Sequence, residues 1–91
     1  MKLVWSVRAR SDIEQLSSYY RRIDPGLSAR MRNRLEAAPL LLLDFPGLAP
    51  RSVHRGCRKL RVRGTPYLLY CCVKGDQVIV ARVIHSARDI W

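Results

Sequence analysis

Apolar residues recur with a period of two near both ends of the chain and with a period of three to four in between. Residues 2–7 set Leu3, Trp5 and Val7 on one side against Lys2, Val4 and Ser6 on the other, which predicts a short strand ending at Arg8, Ala9 and Arg10. Ser11 stands three residues before Glu14, the capping-box spacing, so the first helix is expected to start there. Its apolar positions Ile13, Leu16, Tyr19, Tyr20 and Ile23 give one face that can lie on a sheet. Asp24, Pro25 and Gly26 stop it. A second helix from about Leu27 or Ser28 carries Leu27, Met31, Leu35 and Ala38 in its stripe, and the short joint makes the pair an antiparallel hairpin. Pro39 removes a helical hydrogen bond and disfavours helical geometry at Ala38, so a kink or break is expected there, with residues 40–43 as a further turn packed into the core.

Residues 44–56 contain Pro46, Gly47 and Pro50 and read as an irregular loop. The final third is a meander. Runs at 57–63, 67–73 and 77–84 are rich in β-branched and aromatic residues, and Gly64, Thr65 and Pro66, then Lys74, Gly75 and Asp76, separate them. The order β-α-α-β-β-β predicts an α+β domain in which the helical hairpin packs on one face of a mainly antiparallel four-stranded sheet. With 91 residues the chain holds one core, and residues 1–91 are expected to form one domain. The apolar runs are far shorter than the ~18 residues that span a bilayer, and the start lacks a secretory pattern, so no membrane partner and a cytoplasmic location are expected.

Charge adds what periodicity does not. Seventeen Lys and Arg against seven Asp and Glu give +10, which calls for an acidic partner, nucleic acid or acidic protein. Only Lys2, Lys59 and Lys74 are lysines; the rest are arginines, whose forked donors suit phosphate and carboxylate. In the second strand Lys59, Arg61 and Arg63 share one face at about 7 Å spacing, a self-repelling row expected to bind an anion. Arg58 points to the other side, and Arg51, His54 and Arg55 lead in. Arg82 interrupts an apolar run in the last strand and needs a partner, either a carboxylate such as Glu14, Glu36 or Asp89 or a bound phosphate. His85 either caps the strand end or serves as a general base. Cys57, Cys71 and Cys72 cannot all pair, so buried reduced thiols are expected rather than a disulfide framework; no metal site or cofactor is expected.

Several phrases together carry a resemblance. Val4, Trp5 and Ser6 precede Ala9, Asp12 and Ile13, with Tyr19 and Tyr20 late in the first helix; Gly-Cys-Arg-Lys-Leu at 56–60 leads to Gly-Thr-Pro-Tyr-Leu-Leu-Tyr at 64–70; Arg-Val-Ile-His-Ser-Ala-Arg-Asp-Ile-Trp ends the chain at 82–91. Over nearly its whole length the chain resembles the ParE/RelE superfamily of bacterial toxins, and the middle phrase with the His-x-x-Arg-x-x-Trp ending is closer to the ParE branch. The resemblance implies the RelE-like fold and the toxin of a type II toxin–antitoxin pair, with a role in plasmid stabilisation. It implies hetero-oligomers with a cognate antitoxin bearing a small acidic segment, which Leu16, Tyr20, Arg30, Arg34 and Arg61 are expected to bind.

For the target, the ParE branch implies DNA gyrase, poisoned by stabilising its cleaved-DNA complex, with Arg58, Arg61, Arg63, Arg82, Arg88 and Trp91 as contacts and no catalysis by the toxin. The RelE branch implies an mRNA endonuclease acting on the ribosome, with Lys59, Arg61, Arg82 and His85 as catalytic candidates. Trp91 stands where that branch looks to a tyrosine, and an indole cannot exchange a proton as a phenol does, which favours gyrase. A third possibility is a degenerate member that serves only in a regulatory complex.

Overall fold

The computed structural model describes residues 1–89 and Trp91; Ile90, part of the ending quoted above, lies outside the described residues. β1 (Lys2–Trp5) leads into α1 (Val7–Ile23) and α2 (Pro25–Ala37), followed by a 3₁₀ turn over Ala38–Leu40 and the short α3 (Leu41–Asp44). After a loop come β2 (Cys57–Arg61), β3 (Tyr67–Lys74) and β4 (Gln77–His85), then a 3₁₀ turn over Ser86–Arg88. The strands form one sheet in the order β1-β4-β3-β2, with β1 parallel to β4 and the other pairs antiparallel. The expected α+β arrangement is therefore present, and its helices pack on one face of the sheet.

The core lies between that face and the helices. Ala9, Ile13 and Leu16 of α1 and Met31 and Leu35 of α2 meet Leu69, Cys71, Val78, Val80 and Val83, and Val62 and Tyr67 extend the same layer. Tyr19 and Ile23 do not join it: they are 59% and 63% exposed. Where the helices cross, Ser28 donates to the Ser17 carbonyl at 2.8 Å. Small side chains there let the two backbones approach.

Local differences from the pattern have physical causes. The cap of α1 lies five residues before Ser11, because Ser6 caps the helix by accepting from the Ala9 amide at 3.0 Å while the Ser6 amide continues the sheet by donating to the Val80 carbonyl. Ser11 instead accepts from Gln15 on the exposed side of the helix. Asp24 ends α1 and also starts α2, since its carboxylate accepts from the Gly26 and Leu27 amides, so α2 begins at Pro25, where proline's missing N–H costs nothing. Pro39 does break the helix, into the 3₁₀ turn. Of the leucines that follow, Leu42 is buried but Leu40 and Leu41 are half exposed, so this turn is not wholly core.

β2 ends at Arg61, two residues short of the expected 57–63, where the chain turns through Gly64. Gly64 has φ +78°, and a Cβ there would stand 2.8 Å from the Arg34 guanidinium that donates to the Arg63 carbonyl. The cysteines depart furthest from expectation. Cys57 and Cys72 are directly opposed in the β2–β3 register and form a disulfide, leaving only Cys71 as a buried thiol, its pKa pushed up to about 12 by burial. Vicinal residues face opposite sides of a strand, so register assigns Cys72 to the pair and Cys71 to the core.

Closing a 15-residue separation contributes up to about 3 kcal/mol in the chain-entropy account. The double variant Cys57→Ser/Cys72→Ser is expected to lose up to that much in urea unfolding under oxidising conditions and to match the wild-type chain under a dithiol reductant. Equal stability in both conditions would show that the bond contributes nothing.

Candidate functional site

Two places concentrate polar chemistry: the sheet face turned away from the helices, and the far end of β4 beside α1.

On the outer face, Lys59 and Tyr70 are opposed across β2 and β3, and the end of the chain folds over them. Asp89 accepts from Lys59 Nζ and Tyr70 Oη, each at 2.5 Å. Trp91 packs on His54 and Tyr70 at ring-centroid distances of 4.0 and 5.0 Å, and its carbonyl lies 2.9 Å from His54 Nε2. The tail thus acts as a clasp that buries Tyr70 on a face the helices do not cover. Hydrogen bonds from Lys59 first and Tyr70 second hold the Asp89 carboxyl below the usual carboxylate range. The same bond to Asp89 raises Lys59, while burial first and the Asp89 bond second raise Tyr70. A cavity of about 350 Å³ lies against the clasp, lined by Arg51, Ser52, His54 and Lys59 among others.

At the end of β4, Asp12 of α1 pairs with Arg82, accepting from Nε at 2.8 Å and from a terminal guanidinium nitrogen at 3.2 Å, and also accepts from the Val83 amide at 2.9 Å. The hydrogen bond to Asp12 raises the Arg82 pKa. The carboxylate partner of Arg82 is therefore Asp12 rather than Glu14, Glu36 or Asp89. Beside this pair opens a groove of about 700 Å³, with Leu16, Tyr19 and Tyr20 on the α1 side and Tyr67, His85 and Arg88 on the other. Tyr67 donates to the Tyr20 hydroxyl at 3.4 Å and stacks edge-on with His85 at 5.3 Å. Burial first and the Tyr20 contact second push its pKa far up, so this phenol stays protonated. His85 Nδ1 accepts from the Ala87 amide and so caps the turn that follows β4.

The candidate residues separate accordingly. Lys59, Arg61 and Trp91 belong to the outer face, where Arg61 is near enough to Asp89 to lower its pKa further. Arg63 is exposed beyond the end of β2 and Arg88 on the terminal turn. Arg58 leaves the group: it turns to the other side of the sheet and donates to the Ala49 carbonyl at 2.8 Å. Of the residues expected to meet an antitoxin, Leu16 and Tyr20 line the groove, Arg30 is exposed on α2, Arg34 is spent on the Arg63 carbonyl, and Arg61 is on the opposite face. Three of the four candidates for ribonuclease chemistry are engaged within the fold, Lys59 by Asp89, Arg82 by Asp12 and His85 by the Ala87 amide, and Arg61 is exposed. Asp12 and Asp89 organise the two places and were missed as such; their only sequence signal is the scarcity of acids, seven in the chain. Among the described residues no three His, Cys, Asp or Glu side chains gather in a way that would hold a metal ion, and no helix is long and apolar enough to cross a membrane.

A helical hairpin on a mixed four-stranded sheet is the ParE/RelE-like fold. A solved structure described as the chromosomal ParDE TA system from P. aeruginosa superposes with a TM-score of 0.81 at 22% identity, covering 93% of this chain and 95% of that one. No curated protein matches the sequence. The family model for the ParE toxin of type II toxin-antitoxin system, parDE, matches residues 3–90. The chain belongs to the ParE toxin family.

The clasp generates a pH prediction. A carboxylate held below its unfolded pKa contributes stability above that unfolded value and loses it as pH falls through the folded one. In a Trp5→Phe background, Trp91 fluorescence is expected to show a transition below the usual carboxylate range. Asp89→Asn, which cannot pair ionically with Lys59, is expected to show an altered signal already at pH 7 and to lose the acid transition. An unchanged transition in that variant would assign the titration to another group.

Proposed function

We infer that this chain inhibits DNA gyrase by stabilising its cleaved-DNA complex and is neutralised by a cognate antitoxin that carries a small acidic segment. Membership of the ParE family supports this reading most directly. The observation that carries it beyond the family is the disposition of the cations. Of the four residues that a ribonuclease would gather, Lys59, Arg82 and His85 are each engaged within the fold, whereas Arg61, like Arg63 and Arg88, is exposed and, among the described residues, forms no salt bridge. Free arginines on a +10 chain suit contacts to phosphate in a protein–DNA assembly or to carboxylates of a partner. Such contacts need no proton transfer, and Trp91, already packed on His54 and Tyr70, adds a rigid aromatic surface beside them.

The deciding experiment is a supercoiling and DNA-cleavage assay with purified gyrase, run beside a translation-dependent mRNA cleavage assay on the same preparation. Trapped cleaved DNA with intact message is expected. The triple variant Arg61→Ala/Arg63→Ala/Arg88→Ala is expected to fold normally and to need about tenfold or more higher concentration for the same inhibition, with a shallower salt dependence. Inhibition unchanged by the triple variant would remove these arginines as contacts, and cut message with untouched gyrase would replace the reading by the ribonuclease one.

A further inference from the structure

The disulfide lies on the outer face, one rung from the clasp. Cys57 opposes Cys72 and Lys59 opposes Tyr70, and alternation puts both pairs on the same side of β2 and β3. Cys57 is also the first residue of the edge strand β2, where the loop over 50–56 joins the sheet. The hydrogen bonds that hold this loop down converge there. The Ser52 amide donates to the Cys57 carbonyl and the Cys57 amide to the His54 carbonyl, each at 3.0 Å, while the Val73 amide donates to the Gly56 carbonyl and the Lys59 amide to the Pro50 carbonyl.

His54 carries that anchorage to the tail. Its ring packs on Trp91 at 4.0 Å, and its Nε2 lies 2.9 Å from the Trp91 carbonyl. Loop and tail meet across the cavity of about 350 Å³ rather than across packed core. Single hydrogen bonds contribute about 1 kcal/mol net, so the covalent link is the strongest tie at the base of the loop. The pair is also placed for exchange. Cys72 is partly exposed on a face that no helix covers, whereas Cys71 is buried in the core on the opposite face and stays protonated. The attacking thiolate therefore comes from outside the chain, and disulfides that an external thiolate reaches are the exchangeable ones.

We propose that Cys57 and Cys72 form a reversible modification site for an external dithiol, and that reduction there frees the loop over 50–56 and releases Trp91 from His54. One thiolate of the dithiol attacks the Cys72 sulfur, and the protein S–S bond breaks with its electron pair going to Cys57. The second thiol of the dithiol then attacks the mixed disulfide, and Cys72 leaves in turn. Two electrons and two protons pass to the protein, and the dithiol becomes a disulfide. β2 keeps its ladder to β3, so the sheet persists and only the loop and the tail change. The tail is then held by Asp89 alone, and a ligand that competes for Lys59 displaces one contact where the oxidised chain opposes it with two.

In a Trp5→Phe chain Trp91 is the only tryptophan. Its quenching by iodide is expected to rise at least about twofold when dithiothreitol raises the free thiols from one to three, with the far-UV circular dichroism unchanged, and to fall back on treatment with oxidised glutathione. In the same background Cys57→Ser/Cys72→Ser is expected to show the raised quenching with and without dithiothreitol. His54→Ala, which removes the seat of Trp91 and keeps the bond, is expected to show it in both redox states. Three free thiols with unchanged quenching, a bond that resists dithiothreitol in the folded chain, or a His54→Ala chain that still responds to reduction overturns the proposal. Loss of the native circular dichroism on reduction overturns it as well, since the bond would then hold the whole fold rather than the loop.

Discussion

Asp12 ties the two layers of the molecule together at the point where the sheet loses a strand. One carboxylate holds the Arg82 guanidinium and the Val83 amide, so it fastens the early part of α1 to β4 while satisfying an edge donor that β1 is too short to reach. Both side chains are mostly buried, at 15% and 21% exposure. Removing either partner of such a pair leaves a poorly hydrated charge without its counterion, which is why broken pairs cost more than intact ones contribute. The apolar packing of Ala9, Ile13 and Leu16 seats α1 on the sheet, and the contact with Asp12 sets the direction of Arg82. Without it Arg82, in the same cross-strand row as Tyr70 and Lys59, would be a further free cation on the outer face.

The same logic governs the distribution of charge. The net charge of +10 is not spread over one uniformly basic surface, because the few acids are placed so that two faces differ. Asp12 neutralises the inner end of the groove and Asp89 neutralises the middle of the outer face. What stays free lies at rims: Arg61 and Arg63 at the edge strand and its turn, Arg88 at the terminal turn. Exposed pairs such as Arg32 with Glu14 add little stability of their own. The acids therefore matter less as a stabilising total than as a means of deciding which arginines a partner meets.

Local signals in the chain made the elements legible. Period-two runs separated by glycine-containing turns marked β2, β3 and β4, and Pro39 marked the end of the hairpin, because each of these depends on residues within one turn or one pleat. Contacts that depend on register or on distant segments were not legible in the same way. Ser6 rather than Ser11 caps α1 because the sheet, through the Val80 carbonyl, ends β1 there. Cys57 pairs with Cys72 rather than remaining a thiol because β2 and β3 align one way and not one residue over. Arg82 announced a need for a partner, but the residue that meets the need is seventy positions away.

The clasp at the end of the chain shows how a short tail gives one sheet two different faces. Antiparallel sheets with helices on one side ordinarily leave the other side to water and keep it polar. Here that side carries Leu68, Tyr70 and Ile84, all buried, which a bare face would not tolerate. The segment after β4 must therefore cover them, and Asp89 and Trp91 hold it down from both ends of the polarity scale, one by an ion pair and one by aromatic packing. Because Asp89 occupies Lys59, any anion that reaches this face meets Arg61 first and Lys59 only in competition with the tail. The outer face is thus a weaker anion site at rest than its row of cations suggests, and its full charge is available only to a ligand that also displaces Asp89.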